Sequence, residues 1–281
     1  RQRQMCIRDR FITTLEGDAK ASIDNNTMTV NTKKEGTDMI RTLLIIIFLI
    51  IFFIISIPLF LIEWLIGKFN PHAKDISSLR IVQTAFKIIR FIGGIHTTVI
   101  GYENIPKDKP VLFIGNHRGF FDTIISYSMM PGITGFVAKK EIEKVPLLRV
   151  WMRYLHCLFL DRANIKEGLK TILKGIDEVK AGVSMVIFPE GTRNKGDGIM
   201  PFKEGSFKIA EKSGCLIIPM VQNNTSAAFE DHFPFIRRTH TIIEFGTPID
   251  LTTLSKEDRK AIGAYTHSIM LKMYEKNQSL V

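Results

Sequence analysis

The 281-residue chain is 45% hydrophobic and 23% charged, with three cysteines and a net charge of +10 at pH 7, which excludes a disulfide-stapled scaffold and a low-complexity or acidic solvating chain. Residues 1–38 hold seven Lys/Arg against six Asp/Glu, so the basic excess belongs to the rest and points to anionic partners such as lipid headgroups and phosphates. No binding motif or aromatic-interleaved basic patch accompanies that excess, and nucleic acid is not an expected partner.

Taken in chain order, residues 1–38 form a first unit. Arg1 to Arg10 mix charges without periodicity and look like a translated linker, the polar stretch to Asp38 predicts disorder, and Met39 is the expected native start. Residues 39–95 are expected to anchor the chain. Thr42 to Ile62 carries no charge and is almost wholly Leu, Ile and Phe; about 20 such residues cross a bilayer. A buried core helix is the alternative, but an apolar surface on all sides favours membrane insertion. Pro58 lies inside this helix, and Glu63 and Trp64 are expected at the interface. Lys68, Lys74, Arg80, Lys87 and Arg90 outnumber the basic residues just before the segment, which puts the body on the cytoplasmic side of the cell membrane. Ile81 to Ile95 reads as an amphipathic helix. Its stripe of Gln83, Lys87 and Arg90 opposes Val82, Phe86, Ile89 and Ile92, so it either lies on the membrane or packs on the domain; Gly93-Gly94 ends it.

In residues 96–281, strands are expected near 96–102, 111–115, 133–138, 157–161, 184–188, 215–221 and 241–245. Helices are expected at 122–130, 164–181 and 256–276. Such alternation predicts an α/β domain with a mostly parallel central sheet flanked by helices, long enough to bury a sizeable core.

The first chemical signal is Asn116-His117-Arg118-Gly119-Phe120-Phe121-Asp122, directly after the apolar run Val111–Gly115. In one continuous helix, residues five apart diverge by about 140°. Strand, tight loop and helix start is therefore the better reading, with Asp122 accepting from one imidazole nitrogen and the other facing a substrate hydroxyl. The alternative is an ordinary loop histidine beside a helix N-cap. The second signal is the run Ser184–Phe188, which breaks at Pro189-Glu190-Gly191-Thr192-Arg193. Proline ends the ladder and glycine permits a sharp turn or close approach. That leaves a carboxylate, a hydroxyl and a guanidinium at a strand end, where open α/β sheets bind ligands. Arg193 suits phosphate because its planar fork donates two parallel hydrogen bonds. A third run, Cys157–Leu160, finishes in Asp161-Arg162, and Arg162 is either a second phosphate ligand or half of a surface ion pair. A fourth, Cys215–Met220, adds a buried strand broken at Pro219. Cys6, Cys157 and Cys215 have no metal-ligand spacing, a reducing compartment is the simplest inference, and no histidine cluster, His96 and His267 included, predicts a bound metal.

These four signals, in this order and spacing, resemble the glycerolipid acyltransferase family, and the 1-acylglycerol-3-phosphate acyltransferases in particular. Asn116, His117 and Asp122 match the family's Asn-His-x-x-x-x-Asp block. Phe188 to Arg193 match Phe-Pro-Glu-Gly-Thr-Arg in full. His156–Arg162 corresponds to a block usually written Gly-x-Ile-Phe-Ile-Asp-Arg, with His156 in place of glycine. Upstream, Ala138–Glu141 and Pro146 resemble that block's lead-in, with Arg149 where glycine is common. Ile218-Pro219-Met220 meets the short fourth block, and the resemblance spans roughly residue 40 to the C-terminus.

The resemblance implies transfer of a fatty acyl group from a thioester, acyl-CoA or acyl-acyl carrier protein, to the free hydroxyl of lysophosphatidic acid, giving phosphatidic acid for phospholipid synthesis without a resident cofactor. It implies that His117 is the general base and Asp122 its orienter, that Arg162 and Arg193 hold the acceptor phosphate, and that Glu190, Gly191 and Thr192 shape that pocket. A histidine's ordinary pKa of about 6.5 suits a base at neutral pH. Backbone donors around Gly191 are candidates for steadying the oxyanion. Three other readings stay open: acylation of glycerol-3-phosphate or another lysolipid, a membrane lipid hydrolase using the same pair on water, and a non-catalytic lipid-binding protein.

Overall fold

The computed structural model describes residues 35–281, so the expectations for residues 1–34, Cys6 among them, lie outside the described residues. The elements run α1 (Gln2–Phe69, described from Glu35), α2 (Pro71–Gly93), β1 (Ile95–Ile100), β2 (Val111–Gly115), α3 (Phe120–Tyr127), β3 (Thr134–Lys139), α4 (Pro146–Tyr154) and β4 (Leu158–Leu160). They continue α5 (Ile165–Lys180), β5 (Ser184–Ile187), α6 (Lys208–Ser213), β6 (Leu216–Asn223), β7 (Thr239–Phe245), α7 (Lys256–Lys260) and α8 (Ile262–Gln278). The seven strands form a sheet in the order β1-β7-β6-β2-β5-β3-β4. Five are mutually parallel, β7 is antiparallel to β6, and β1 runs parallel to β7. This is the expected α/β architecture, and all seven expected strands are present.

Alternation along β2 sorts the core into two layers, because successive strand side chains point to opposite faces. Val111 and Phe113 join Val186, Ile218, Phe245 and the Leu79–Val82 face of α2. Leu112 and Ile114 join Met185, Ile187, Ile176, Phe207, Ile209 and Met270 on the other side. Each such buried side chain is worth about 1.5–3 kcal/mol, and together they hold the central strands whose C-terminal ends carry the site.

The structure departs from the sequence expectation among the helices. Residues 256–276 are two helices, α7 and α8, broken at Ala261, whose φ of −111° and ψ of 37° leave the helical region. Two further helices, α4 and α6, are nine and six residues long, too short for a 3.6-residue period to register in sequence. The helix expected over residues 81–95 begins at Pro71, behind an Asn70 cap that accepts from the Ala73 N–H. Its polar stripe is divided. Gln83 is buried and donates to the carbonyls of Tyr127 and Met130, Arg90 donates to Ser128 Oγ, and Lys87 is exposed. The helix thus packs on the domain, two of its polar residues satisfying the chain end of α3.

The described part of α1, Glu35–Phe69, is long and apolar enough to cross a membrane, with Leu43, Ile47, Ile54 and Leu61 exposed. One stripe of it packs inward. Phe52 and Phe60 lie against Trp151 of α4, whose indole N–H donates to Ser56 Oγ at 2.9 Å. Glu63 is buried against α2, accepting from the Ser77 and Ser78 hydroxyls, whereas Trp64 is exposed. Asp38 is buried too and pairs with Arg41 and Arg237, and Thr42 Oγ1 accepts the Ile236 N–H. Residues 35–38, part of the stretch expected to be disordered, are helical, and Asp38 ties them to the body through Arg237.

Candidate active site

Gly115 ends β2, but pairing continues for one more residue through a side chain. The Asn116 amide donates to the Gln222 carbonyl at 2.8 Å and accepts the Gln222 N–H at 2.7 Å, copying a peptide unit of the ladder. The chain leaves the sheet at His117. His117 Nδ1 lies 2.8 Å from Asp122 Oδ2, the contact expected from the sequence. The same oxygen accepts the N–H groups of Arg118 and Gly119 at 2.6 and 2.8 Å, and Asp122 Oδ1 accepts the Thr225 hydroxyl. Gly119 is the N-cap of α3 and Asp122 its third residue, so one carboxylate both caps the helix and orients the imidazole. An ionised carboxylate only accepts, so Nδ1 carries the hydrogen and Nε2 presents its lone pair, with no protein partner among the described residues. The ring stacks on Phe188 at 4.6 Å and 14°. A Cβ on Gly115 would come within 2.7 Å of that Phe188 ring, so glycine there makes room for the platform under the base.

The Phe188–Arg193 segment clamps His117 from the other side. Glu190 is buried; its Oε1 accepts the His117 N–H at 2.7 Å and its Oε2 the Met200 N–H at 2.9 Å. The Asn194 N–H donates to the His117 carbonyl at 2.7 Å. Burial pushes the Glu190 carboxyl above the usual carboxylate range, and the two backbone donors oppose that shift. Gly191 has φ 77°, the left-handed region that favours glycine. Its N–H donates to the Phe188 carbonyl at 3.1 Å, so this donor is engaged in the turn and is not free for an oxyanion as the sequence reading allowed. Lys203 Nζ packs against the same glycine, 2.6 Å from where a Cβ would sit. Thr192 is exposed. Arg193, 41% exposed at its side chain, donates to Glu230 Oε1 at 3.0 Å, and its guanidinium lies 4.4 Å over the Phe120 ring.

The loops therefore bring His117, Asp122, Glu190, Gly191 and Arg193 into one cluster. Arg162 stands apart at the end of β4, on the edge of the sheet with β3 between it and β5. It makes no hydrogen bond among the described residues; partial desolvation lowers its pKa, with Glu141 opposing. The sequence reading missed Thr225, Lys203 and Glu230, and took Phe188 as the end of a strand and the first residue of a family block without giving its ring a role. Thr225 lies two residues beyond the end of β6, the strand next to β2, and that position was the available signal. The His156 substitution also finds its reason. With φ 57° this residue is left-handed, where a glycine is least strained, and its two ring nitrogens face Glu178 of α5 at 2.9 Å and Asp75 of α2 at 3.1 Å. Cys157 is buried, its thiol pushed up to about 12 by desolvation, which makes it inert at neutral pH. Among the described residues no group of three or more His, Cys, Asp or Glu is arranged to hold a metal ion. Chemically, the site offers an oriented base with an open nitrogen, and exposed cations in the same group of loops, a combination suited to deprotonating a hydroxyl on an anionic molecule.

Residues 96–223 match the family described as Acyltransferase. The chain is 32% identical over 174 residues to the 1-acyl-sn-glycerol-3-phosphate acyltransferase of Haemophilus influenzae, covering 60% of this chain and 71% of that protein. It is 29% identical over 198 residues to the enzyme of that name from Borreliella burgdorferi, covering 70% and 79%, and 30% identical over 193 residues to that of Saccharomyces cerevisiae, covering 68% and 62%. Its fold matches the crystal structure of the 1-acyl-sn-glycerophosphate acyltransferase from Thermotoga maritima with a TM-score of 0.75 at 22% identity, over 87% of this chain and 98% of that one.

Proposed function

Because this chain belongs to the glycerolipid acyltransferase family, we propose that it moves a fatty acyl group from a thioester to the free hydroxyl of 1-acylglycerol-3-phosphate, forming phosphatidic acid. The observation that carries this reading is the His117–Asp122 contact at 2.8 Å, which leaves Nε2 without a protein partner among the described residues, in a loop cluster that also holds Arg193 and, against Gly191, Lys203. In the proposed reaction His117 Nε2 takes the acceptor's hydroxyl proton as the oxygen attacks the thioester carbonyl. The tetrahedral intermediate then collapses to the new ester, the carbon–sulfur bond breaks, and the leaving thiolate recovers the proton from the imidazolium. Asp122 fixes the tautomer and stabilises the imidazolium. Transfer is direct, and the donor, a coenzyme A or acyl carrier protein thioester, is a substrate rather than a resident cofactor.

Arg193 is assigned to the acceptor phosphate, with Lys203 packed on the neighbouring Gly191; Arg162, expected from the sequence to share that role, stands at the sheet edge beyond β3 and is left out of the assignment. Glu190 and Gly191 act on His117 and on the turn, and Thr192 lines the exposed rim. The body lies on the cytoplasmic face of the membrane, a reading supported by the basic residues that follow α1. The test offers purified full-length protein a labelled acyl thioester with glycerol-3-phosphate, its 1-acyl derivative, other lysolipids or water alone. Preferential acylation of the 1-acyl derivative is expected. Faster turnover of glycerol-3-phosphate or another lysolipid would move the assignment within the family, and release of free fatty acid without an acceptor would make the protein a hydrolase.

A further inference from the structure

Between β6 and β7, Glu230 opens a short 3-10 turn of residues 230–232. Its Oε1 accepts two hydrogen bonds at once, from the Phe120 N–H at the start of α3 at 2.8 Å and from Arg193 at 3.0 Å. A helix-start N–H beside a guanidinium is a donor pair that phosphate oxygens also seek. Here an internal carboxylate has both. The other oxygen, Oε2, is buried without a partner, and it lies where a Cβ on Gly119 would collide with it. Only glycine at 119 lets the carboxylate sit so close to the loop that holds the base. Burial raises the Glu230 pKa, and the Asp122 charge adds to that effect, while Phe120 and Arg193 oppose it. The carboxylate is thus held by strong donors on one oxygen and starved on the other, a state that a better-satisfied anion can replace.

We propose that Glu230 is a competing anion built into the acceptor site, holding Arg193 and the Phe120 N–H while the site is empty and yielding both donors to the acceptor's phosphate. The inference rests on the assignment of Arg193 to that phosphate. It has a consequence for selectivity. A dianionic phosphate monoester offers more charge and more acceptor oxygens than a carboxylate and can displace it, whereas a neutral glycerol headgroup cannot. Glu230 therefore weakens every acceptor that needs Arg193 and leaves untouched one that does not.

The experiment uses the full chain in mixed micelles and measures kcat and KM separately for 1-acylglycerol-3-phosphate, for a neutral monoacylglycerol and for the acyl thioester. Three variants are compared: Glu230→Gln, which keeps shape and an acceptor oxygen but removes the charge, Glu230→Ala, which removes both, and Arg193→Ala. Competition with a charge-assisted hydrogen bond predicts that Glu230→Gln lowers the KM for the phosphorylated acceptor by about tenfold, with a smaller change in kcat and little change in the KM for the donor or the monoacylglycerol. Glu230→Ala should move the same KM in the same direction, and the inhibition constant of inorganic phosphate should fall in parallel, a readout that any folded variant provides. If both Glu230 variants leave the acceptor KM unchanged or raise it while Arg193→Ala also raises it, Glu230 positions the arginine and the inference is overturned. If Arg193→Ala leaves the acceptor KM unchanged, the phosphate assignment itself fails and the inference falls with it, an outcome recognisable from that variant alone.

Discussion

His117 is held at three points: Asp122 at Nδ1, the Phe188 face under the ring, and a backbone gripped by Glu190 and Asn194. Removing the imidazole leaves Asp122 its Arg118, Gly119 and Thr225 donors and leaves the His117 backbone bonds in place, so His117→Ala should lower kcat by about 10² to 10⁴-fold with an unchanged circular dichroism spectrum. Near-normal turnover would disprove the base. Asp122→Asn can still accept from the loop N–H groups through its amide oxygen but cannot balance an imidazolium. It should therefore fold yet lose about a hundredfold or more in kcat, and full activity would reduce Asp122 to a helix cap. Glu190 answers differently because both of its oxygens accept from backbone. In Glu190→Gln the Met200 N–H would face an amide NH2, a loss of about 1–3 kcal/mol, so the thermal midpoint should fall by several degrees alongside activity; an unchanged midpoint would mean that the Met200 bond contributes nothing. At His156 two effects oppose each other. Both Gly and Ala lose the contacts to Asp75 and Glu178, but only Gly relieves the left-handed backbone, so His156→Gly should be more stable than His156→Ala by about 1–2 kcal/mol. Equal midpoints for the two would contradict the strain.

At the scale of elements, α1 is both the candidate span and part of the body's wall. Trp151 is almost fully buried because Phe52, Ser56 and Phe60 cover it, and Leu79 and Val82 of α2 join the same apolar cluster as Ile45 of α1. Deleting residues 1–66 would expose this face and leave the Ser77 and Ser78 hydroxyls without Glu63. The truncated chain should elute from size exclusion in detergent as aggregate; a monodisperse, active product would show that α1 is a dispensable anchor. The polar residues of α2 show why such packing is hard to foresee. Gln83 sits in a stripe that looks solvent-facing by period, yet its amide satisfies two carbonyls at the end of α3.

On the scale of the whole molecule, one loop joins the candidate site to the apolar helix α1. The β6–β7 connection carries Glu230 against Arg193 and, a few residues on, Ile236 and Arg237 against Thr42 and Asp38 of α1. Exposed apolar residues along α1 and a net charge of +10 act through different forces: salt screens the charge with a Debye length of about 3 Å at 1 M, but leaves apolar insertion in place. The full chain should therefore stay with membranes through a high-salt wash. Its release would mean that attachment is electrostatic and that α1 does not cross the bilayer.

The strands, the strand-loop-helix at His117 and the break at Pro189 were legible from sequence because each depends on near neighbours. Alternation, a proline, or a base and carboxylate five residues apart states its own geometry. The family blocks added the order of the site's parts along the chain. What joins those parts depends on residues distant in sequence, and no local pattern reports that. Asn116 bonding Gln222, Thr225 reaching Asp122, Glu190 gripping His117 and Glu230 occupying Arg193 each require the sheet to have placed β2, β5 and β6 side by side. The same holds for Glu63, Gln83 and Asp38, polar residues buried because a partner element arrives to satisfy them. Hydrophobic period sets which elements form and which faces are apolar; only tertiary packing decides which polar groups meet, since their pairing is fixed by through-space distance rather than by spacing along the chain.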